Sequence, residues 1–254
     1  MSSFSSSLQW GTKWTRECLR LFKLAPGPAM LVALAYVMLF ILSPAMPNMA
    51  WLSVLTVVVW PVFMVMAVGF YRNLDTGQVQ SVSAMFRSLQ PVVPSLFRLG
   101  FLVLLYIWMM RFLLSADIER LPIIDPAVGL TEAQAQRMLD TIMPLLIKSS
   151  LLLLPVLMAT WFSPMLLAYR QYKLFPAIKH SVLSALKYML PLSVTWLLLT
   201  AGIAMATVLA GVVIGLLTGK LAALLLPMVV LSFFLLATTL MMAFQYITYR
   251  DIFR

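Results

Sequence analysis

Three tyrosine–arginine pairs are the residues of this sequence best suited to binding chemistry. A tyrosine hydroxyl can donate or accept a hydrogen bond, and a guanidinium can grip a phosphate through two parallel hydrogen bonds. Each pair follows a long apolar run, so the same groups also suit anchoring where hydrocarbon meets lipid headgroups. The sequence therefore predicts either simple anchors or one convergent headgroup-binding site. The pairs are Tyr71-Arg72, Tyr169-Arg170 and Tyr249-Arg250.

Other chemistries have little support in the sequence. His180 is the only histidine and Cys18 the only cysteine. An internal disulfide is therefore impossible, and none of the common zinc ligand sets can be formed. There is no phosphate-binding glycine loop, nucleophile elbow or H-E-x-x-H motif. No acidic residue falls near the middle of an apolar run, which disfavours proton-coupled transport. We expect no metal, no cofactor and no enzymatic activity.

The composition predicts a membrane protein. Hydrophobic residues make up 63% of the chain, charged residues make up 10%, and the mean hydropathy is +0.99. Soluble domains average roughly 45–50% apolar and about 25% charged residues. We predict an all-α, polytopic helical bundle in a single transmembrane domain covering residues 1–254. Its six predicted spans are 28–46, 49–70, 97–116, 144–168, 191–218 and 222–248.

The distribution of basic residues predicts the orientation. The formal net charge is +10, but the basic residues flank apolar runs on alternate loops, which favours membrane topology over nucleic-acid binding. The positive-inside rule then puts both termini in the cytoplasm. On that side lie Lys13, Arg16, Arg20, Lys23, Arg72, Arg87, Arg98, Arg170, Lys173, Lys179, Lys187, Arg250 and Arg254, against Arg111, Arg120, Arg137, Lys148 and Lys220 on the other.

An internal repeat organises the chain. Residues 81–91 align without gaps on residues 181–191, with serine, valine, a basic residue and proline in the same places. Both segments and a looser N-terminal copy are amphipathic at helical spacing, as helices lying in the membrane interface are. We predict three related hairpins, each opened by such a helix. The repeats cover about 8–72, 78–170 and 176–250.

A stripe of small residues marks the fifth predicted span. Gly211, Gly215 and Gly219 recur at intervals of four, which places them on one helix face and lets another helix approach closely. Three interpretations remain open: helix packing within the monomer, the face of a homo-oligomer, or a flexible helix in a moving part.

Prolines interrupt the predicted spans beside tryptophans. Trp60 precedes Pro61, and Trp161 lies three residues before Pro164, at roughly similar places in their hairpins. Proline removes a backbone donor and bends a helix. We interpret these positions as structural kinks, with a broken-helix substrate site as the alternative.

The Tyr-Arg-Asp-Ile-Phe segment at residues 249–253 and the proline-punctuated spans resemble a family of proteobacterial multi-pass inner-membrane proteins. The repeat is also similar to the YciC-like group and to the membrane domain attached to some glycerophosphodiester phosphodiesterases. The resemblance implies a bacterial inner-membrane protein with a six-helix domain. It brings no catalytic residues, because the phosphodiesterase chemistry belongs to a soluble domain that this sequence lacks.

These patterns lead to two expectations for function. The first is a non-enzymatic scaffold or accessory subunit whose basic cytoplasmic face engages anionic phospholipid and a protein partner. The alternative is a translocator of lipid or small apolar molecules. A scaffold predicts a sealed interior, whereas a lipid handler predicts a groove or cavity between hairpins and convergence of Arg72, Arg170 and Arg250.

Overall fold

The structure is a computed structural model that describes residues 2–43, 46, 50–78, 80–119, 132–216 and 220–254. Within these ranges every regular element is helical, which confirms the predicted all-α class. The α-helices are α1 (Ser2–Leu24), α2 (Pro26–Val37), α3 (Ala50–Thr76), α4 (Val82–Leu89), α5 (Val93–Ile118), α6 (Glu132–Tyr169), α7 (Leu174–Lys187), α8 (Met189–Gly215) and α9 (Lys220–Ile252).

Short irregular helices extend two of these elements. A π-helical turn, Met38–Leu42, continues α2, and a 3₁₀ turn, Gln90–Val92, joins α4 to α5. The run from Val82 to Ile118 is consequently one uninterrupted helical stretch of 37 residues. The sequence predicted a separate interfacial helix here, and the structure differs because Pro91 and Pro94 fall in the first turns of the following helices, where proline needs no hydrogen-bond donor.

In the described part of the chain five helical segments are long and apolar enough to cross a membrane, and the fold is that of a polytopic helical membrane protein. A sixth candidate is a bent pair in which α1 meets α2 at 102°. The bend falls where Pro26 starts α2, since the residue before a proline is disfavoured in helical geometry. The five segments are Trp51–Thr76, Val82–Ile118, Asp140–Tyr169, Met189–Gly215 and Leu225–Ile252.

Helix α1 is amphipathic as predicted, but its apolar face meets protein. Trp14, Cys18 and Leu21 are completely buried, and α1 packs against α8 and α9. The sequence predicted this face to lie among acyl chains. A helical apolar stripe reports burial without saying whether lipid or another helix covers it.

The core lies at one end of the bundle. Helices α3, α6 and α9 contact one another there, and α5 packs closely along α3. A Cβ atom added at Gly100 on α5 would lie 2.3 Å from the carbonyl oxygen of Val58, so this close approach requires glycine. The core includes Val65, Val68, Phe162, Met165, Leu166, Phe244 and Ile247.

Near Pro164, where the sequence predicts a kink, α6 receives a contact from α7. Helix α6 continues through the proline, but the Ser181 hydroxyl sits between two of its backbone groups. It accepts a hydrogen bond from the Phe162 amide at 3.0 Å and donates one to the Met158 carbonyl at 2.7 Å. A side chain inserted into the helical ladder is a recognised cause of bending, and here it leaves both backbone groups satisfied.

A Cβ atom added at Gly211 or Gly215 on α8 would meet nothing within 4 Å among the described residues. These two positions therefore give no support for packing within the monomer, and all three interpretations of the glycine stripe stay predictions. Gly219 lies outside the described residues.

Candidate functional site

The C-terminal ends of α3, α6 and α9 bring the tyrosine–arginine pairs together. The rings of Tyr169 and Tyr249 lie 6.0 Å apart, and the Arg72 guanidinium lies 5.2 Å from the centre of the Tyr169 ring. Between them is a cavity of about 410 Å³, here called the basic pocket. Its lining includes Arg72, Arg170, Arg250, Arg254, Tyr169 and Tyr249.

Tyr71 is the one member of the three pairs outside the basic pocket. Its side chain is fully buried, and its hydroxyl donates to the carbonyl oxygen of Thr239 at 2.9 Å. The Tyr169 hydroxyl likewise donates to the Val65 carbonyl at 3.0 Å. These two hydroxyls hold neighbouring helices together, so the predicted role of tyrosine as a donor to a headgroup is not supported at either position.

The Arg250 guanidinium forms ion pairs with carboxylates. Its Nη1 atom lies 2.7 Å from Asp75 Oδ2 and 3.5 Å from Glu17 Oε2, and its Nε atom lies 2.9 Å from Asp251 Oδ1. We call these three acids and their basic partners the acid network. Arg250 is only 16% exposed, so these pairs are poorly screened by solvent.

The acid network fastens α1 to the ends of α3 and α9. Asp75 also accepts hydrogen bonds from Arg20 and from the Tyr246 hydroxyl. Asp251 accepts from Lys13 Nζ at 2.8 Å and from the indole of Trp14 at 3.2 Å. The network therefore positions the helix ends that carry the basic pocket.

Three arginines of the basic pocket keep their charge available. Arg72, Arg170 and Arg254 are exposed and form no ion pair with any carboxylate in the described part of the chain. Arg170 donates to the backbone carbonyl of Phe253, which uses one of the five donors of its guanidinium. The remaining N–H groups can bind an anion with several acceptor oxygens, such as a phosphate.

A polar cavity and an apolar groove adjoin the basic pocket. Arg72 and Tyr169 also border a cavity of about 330 Å³ that Gln78 and Gln80 share with a groove of about 470 Å³. The groove runs along α3 past Phe63 and faces α2. A polar cavity that continues into an apolar groove matches the headgroup and the acyl chain of a phospholipid.

A separate cavity, here called the tryptophan cavity, lies between α3, α6, α8 and α9. Its volume is about 400 Å³, and its walls include Trp60, Trp161 and Trp196. The two tryptophans singled out beside prolines thus face the same space. A cavity at this place is compatible with both interpretations of the prolines, structural kinks and a substrate site, which stay predictions.

Sequence reasoning missed Asp75, Tyr246 and Arg254. A signal was present, because Glu17, Asp75 and Asp251 are the only acids on the predicted cytoplasmic side. Acids that are this scarce among many basic residues are expected to pair, but the sequence does not say with which. The structure assigns all three to one network, which determines which arginines stay unpaired.

Comparison of the chain with protein-family models, with curated proteins and with solved structures finds no match. The class of protein therefore follows from the fold and the site alone: a polytopic helical membrane protein with a cluster of arginines where three helices end.

Proposed function

We propose that this protein is a non-enzymatic integral membrane protein that binds the headgroup of an anionic phospholipid in the basic pocket. The observation that carries the proposal is the convergence of Arg72, Arg170 and Arg254 beside a cavity of about 410 Å³, with no carboxylate of a described residue paired to any of them. Guanidinium groups bind phosphate with strong, charge-assisted hydrogen bonds. In this role the protein acts as a scaffold or accessory subunit that recruits anionic lipid, alone or with a protein partner.

The location of the pocket supports a lipid as the source of the phosphate. Arg72 lies near the C-terminal end of the apolar helix α3, and Arg170 directly follows the apolar helix α6, at the depth where headgroups lie. The neighbouring apolar groove along α3 offers space for an acyl chain. A free phosphate would use the arginines and leave the groove without a role.

The charge asymmetry supports an orientation with the pocket and both termini in the cytoplasm. Anionic lipids of the cytoplasmic leaflet attract basic segments of this kind. We place the protein in the bacterial inner membrane, which the resemblance of the sequence to multi-pass proteobacterial proteins supports.

Lipid binding can be tested with purified protein in a neutral detergent. The midpoint of thermal unfolding is followed while phosphatidylglycerol or phosphatidylcholine is added. A ligand that binds only the folded state raises this midpoint with concentration. We expect phosphatidylglycerol to raise it more than phosphatidylcholine does, and the difference to shrink as salt is added because exposed charges are screened.

The matched control removes the same charge elsewhere on the predicted cytoplasmic face. Arg72→Gln, Arg170→Gln and Arg254→Gln combined should abolish the preference for phosphatidylglycerol. Three exposed basic residues outside the basic pocket should tolerate the same change: Arg16→Gln, Arg87→Gln and Lys179→Gln. Equal losses in the two triple variants would mean that overall charge, and not this pocket, selects the lipid.

Movement of lipid or of a small apolar molecule is the second candidate. The observation that favours it is the tryptophan cavity, since a sealed scaffold needs no internal space. In liposomes that hold the purified protein alone, a translocator should move labelled lipid between leaflets. Replacing Arg72, Arg170 and Arg254 together by glutamine leaves the ion pairs of Arg250 intact and should stop that movement, and movement that survives would separate transport from these arginines.

A further inference from the structure

We infer that the tryptophan cavity is a second lipid site, which binds one uncharged single-chain lipid with a hydroxyl headgroup and admits it sideways between α6 and α8. A monoacylglycerol is the simplest lipid of this class. None of the arginines of the basic pocket lines this cavity, so the inference stands apart from the proposed binding of anionic lipid.

The cavity opens toward the membrane along one seam. Helices α6 and α8 make only sparse contact in the described structure, whereas α5 packs closely on α3. A cavity of about 430 Å³ follows this seam and shares Leu157, Trp161 and Trp196 with the tryptophan cavity. At its outer edge Leu154 and Met189 are 41% and 47% exposed, on apolar surface that hydrocarbon would cover. The two spaces therefore form a lateral entry from the acyl-chain region.

The lining excludes a charged ligand. Among the described residues no charged side chain borders the cavity, and an unpaired ion would be costly in such surroundings. Most of the wall is aromatic or aliphatic, with a few polar groups, which is the usual make-up of a small-molecule site of roughly 300–1,000 Å³. An acyl chain is the ligand that the surrounding bilayer supplies in quantity.

Gln245 identifies the headgroup chemistry. Its side chain is only 5% exposed, and its amide nitrogen donates to the Trp161 carbonyl at 2.7 Å. The carbonyl oxygen of the Gln245 side chain accepts no hydrogen bond within the described residues. Among the described residues the Ser163 hydroxyl is the one fully buried side-chain polar atom without a partner, so the Gln245 oxygen is open to the cavity, where a ligand hydroxyl can donate to it.

The threonines that line the cavity show which hydroxyl groups remain available to a ligand. Thr160 and Thr238 donate to carbonyls of their own helices, Val156 at 2.7 Å and Phe234 at 2.9 Å. Thr200 borders the same cavity, and no hydrogen bond is seen for its hydroxyl among the described residues. The Gln245 carbonyl and the Thr200 hydroxyl are thus available to a ligand hydroxyl that both donates and accepts. The lining also holds the Tyr36 hydroxyl and the indole N–H groups of Trp60 and Trp196.

Photo-crosslinking can test this assignment with the full chain in nanodiscs. The probe is a monoacylglycerol carrying a diazirine in its acyl chain, and labelled peptides are mapped by mass spectrometry. We expect labels on α6 and α8 where they line the seam. A large excess of unlabelled monoacylglycerol should compete for these labels, and an ionised fatty acid of the same chain length should compete poorly.

Two substitutions of Thr200 separate occupation of space from hydrogen bonding. Thr200→Phe fills the cavity and should reduce seam labelling at least about tenfold, while Thr200→Val should weaken competition by unlabelled monoacylglycerol roughly threefold to tenfold by removing one hydrogen bond. The control Leu198→Phe introduces the same side chain at an exposed position of α8 outside the cavity. Seam labelling equal in Thr200→Phe and Leu198→Phe, or labels spread evenly over all lipid-facing helices, would overturn the assignment.

Discussion

Arg250 and Arg72 hold the same place in their tyrosine–arginine pairs, but their surroundings give them opposite tasks. Arg250 is 16% exposed and lies within ion-pair distance of three carboxylates. Arg72 is exposed, stacks over Tyr169 and meets no carboxylate among the described residues. Copies of one dipeptide therefore have different roles. One copy stabilises the end of the bundle, and the others leave their charge available to a ligand.

Removing the Asp75 carboxylate should disrupt the acid network around Arg250 and have the largest effect on stability. Asp75→Asn leaves Arg250 and Arg20 with one carboxylate fewer at a site where Asp75 is 14% exposed. We expect a loss of about 2–3 kcal/mol in the free energy of unfolding, less than the cost of breaking a fully buried pair. Denaturation in mixed detergent micelles, followed by circular dichroism, measures it.

A double substitution supplies the control for Asp75. If the two residues act as one unit, Arg250→Gln should cost much less in the Asp75→Asn background than in the native protein. Additive losses would show that the ion pair does not couple these positions.

The hydroxyl groups of Tyr71 and Tyr249 should differ in their contribution to the free energy of unfolding. Tyr71→Phe deletes the buried hydrogen bond to the Thr239 carbonyl and should cost about 1 kcal/mol of unfolding free energy. Tyr249→Phe changes a half-buried ring beside the basic pocket and should stay within about 0.5 kcal/mol of the native protein. The same denaturation experiment compares them, and a reversed order would contradict the assignment of Tyr71 to structure.

The smallest effect on stability is expected at the unpaired arginines. Arg72→Gln combined with Arg170→Gln removes two exposed charges and should change the free energy of unfolding by less than about 0.5 kcal/mol. A loss as large as that of Asp75→Asn would mean that these arginines are structural. The division between stabilising and binding copies would then fail.

Much of the fold could be predicted because it follows from the length and period of apolar runs. The helical class, the membrane-crossing segments and the meeting of the Tyr-Arg pairs at one end need only alternation of direction from span to span. The acid network could not be predicted, because Glu17, Asp75 and Asp251 are distant in sequence and become neighbours only through the packing of α1.

The aligned segments show where repetition in sequence stops being informative. Ser81 accepts a hydrogen bond from the Ala84 amide at the start of α4, whereas Ser181 is fully buried between α7 and α6. Continuing the same alignment, Gly100 lies against the Val58 backbone, and Thr200 borders the tryptophan cavity. One seam is therefore closed and the other open, and this follows from which helix each residue faces, which a single sequence does not specify.

Native mass spectrometry of the gently extracted protein, with its lipids retained, distinguishes selective binding in the basic pocket from unselective retention of lipid. We predict that the native protein keeps a phospholipid of the anionic class in preference to zwitterionic lipid. We also predict that this preference disappears when Arg72, Arg170 and Arg254 are all replaced by glutamine, and survives when Arg16, Arg87 and Lys179 are. A native protein that retains both lipid classes in proportion to their abundance would contradict selective binding in the basic pocket, as would an anionic preference undiminished in the first triple variant.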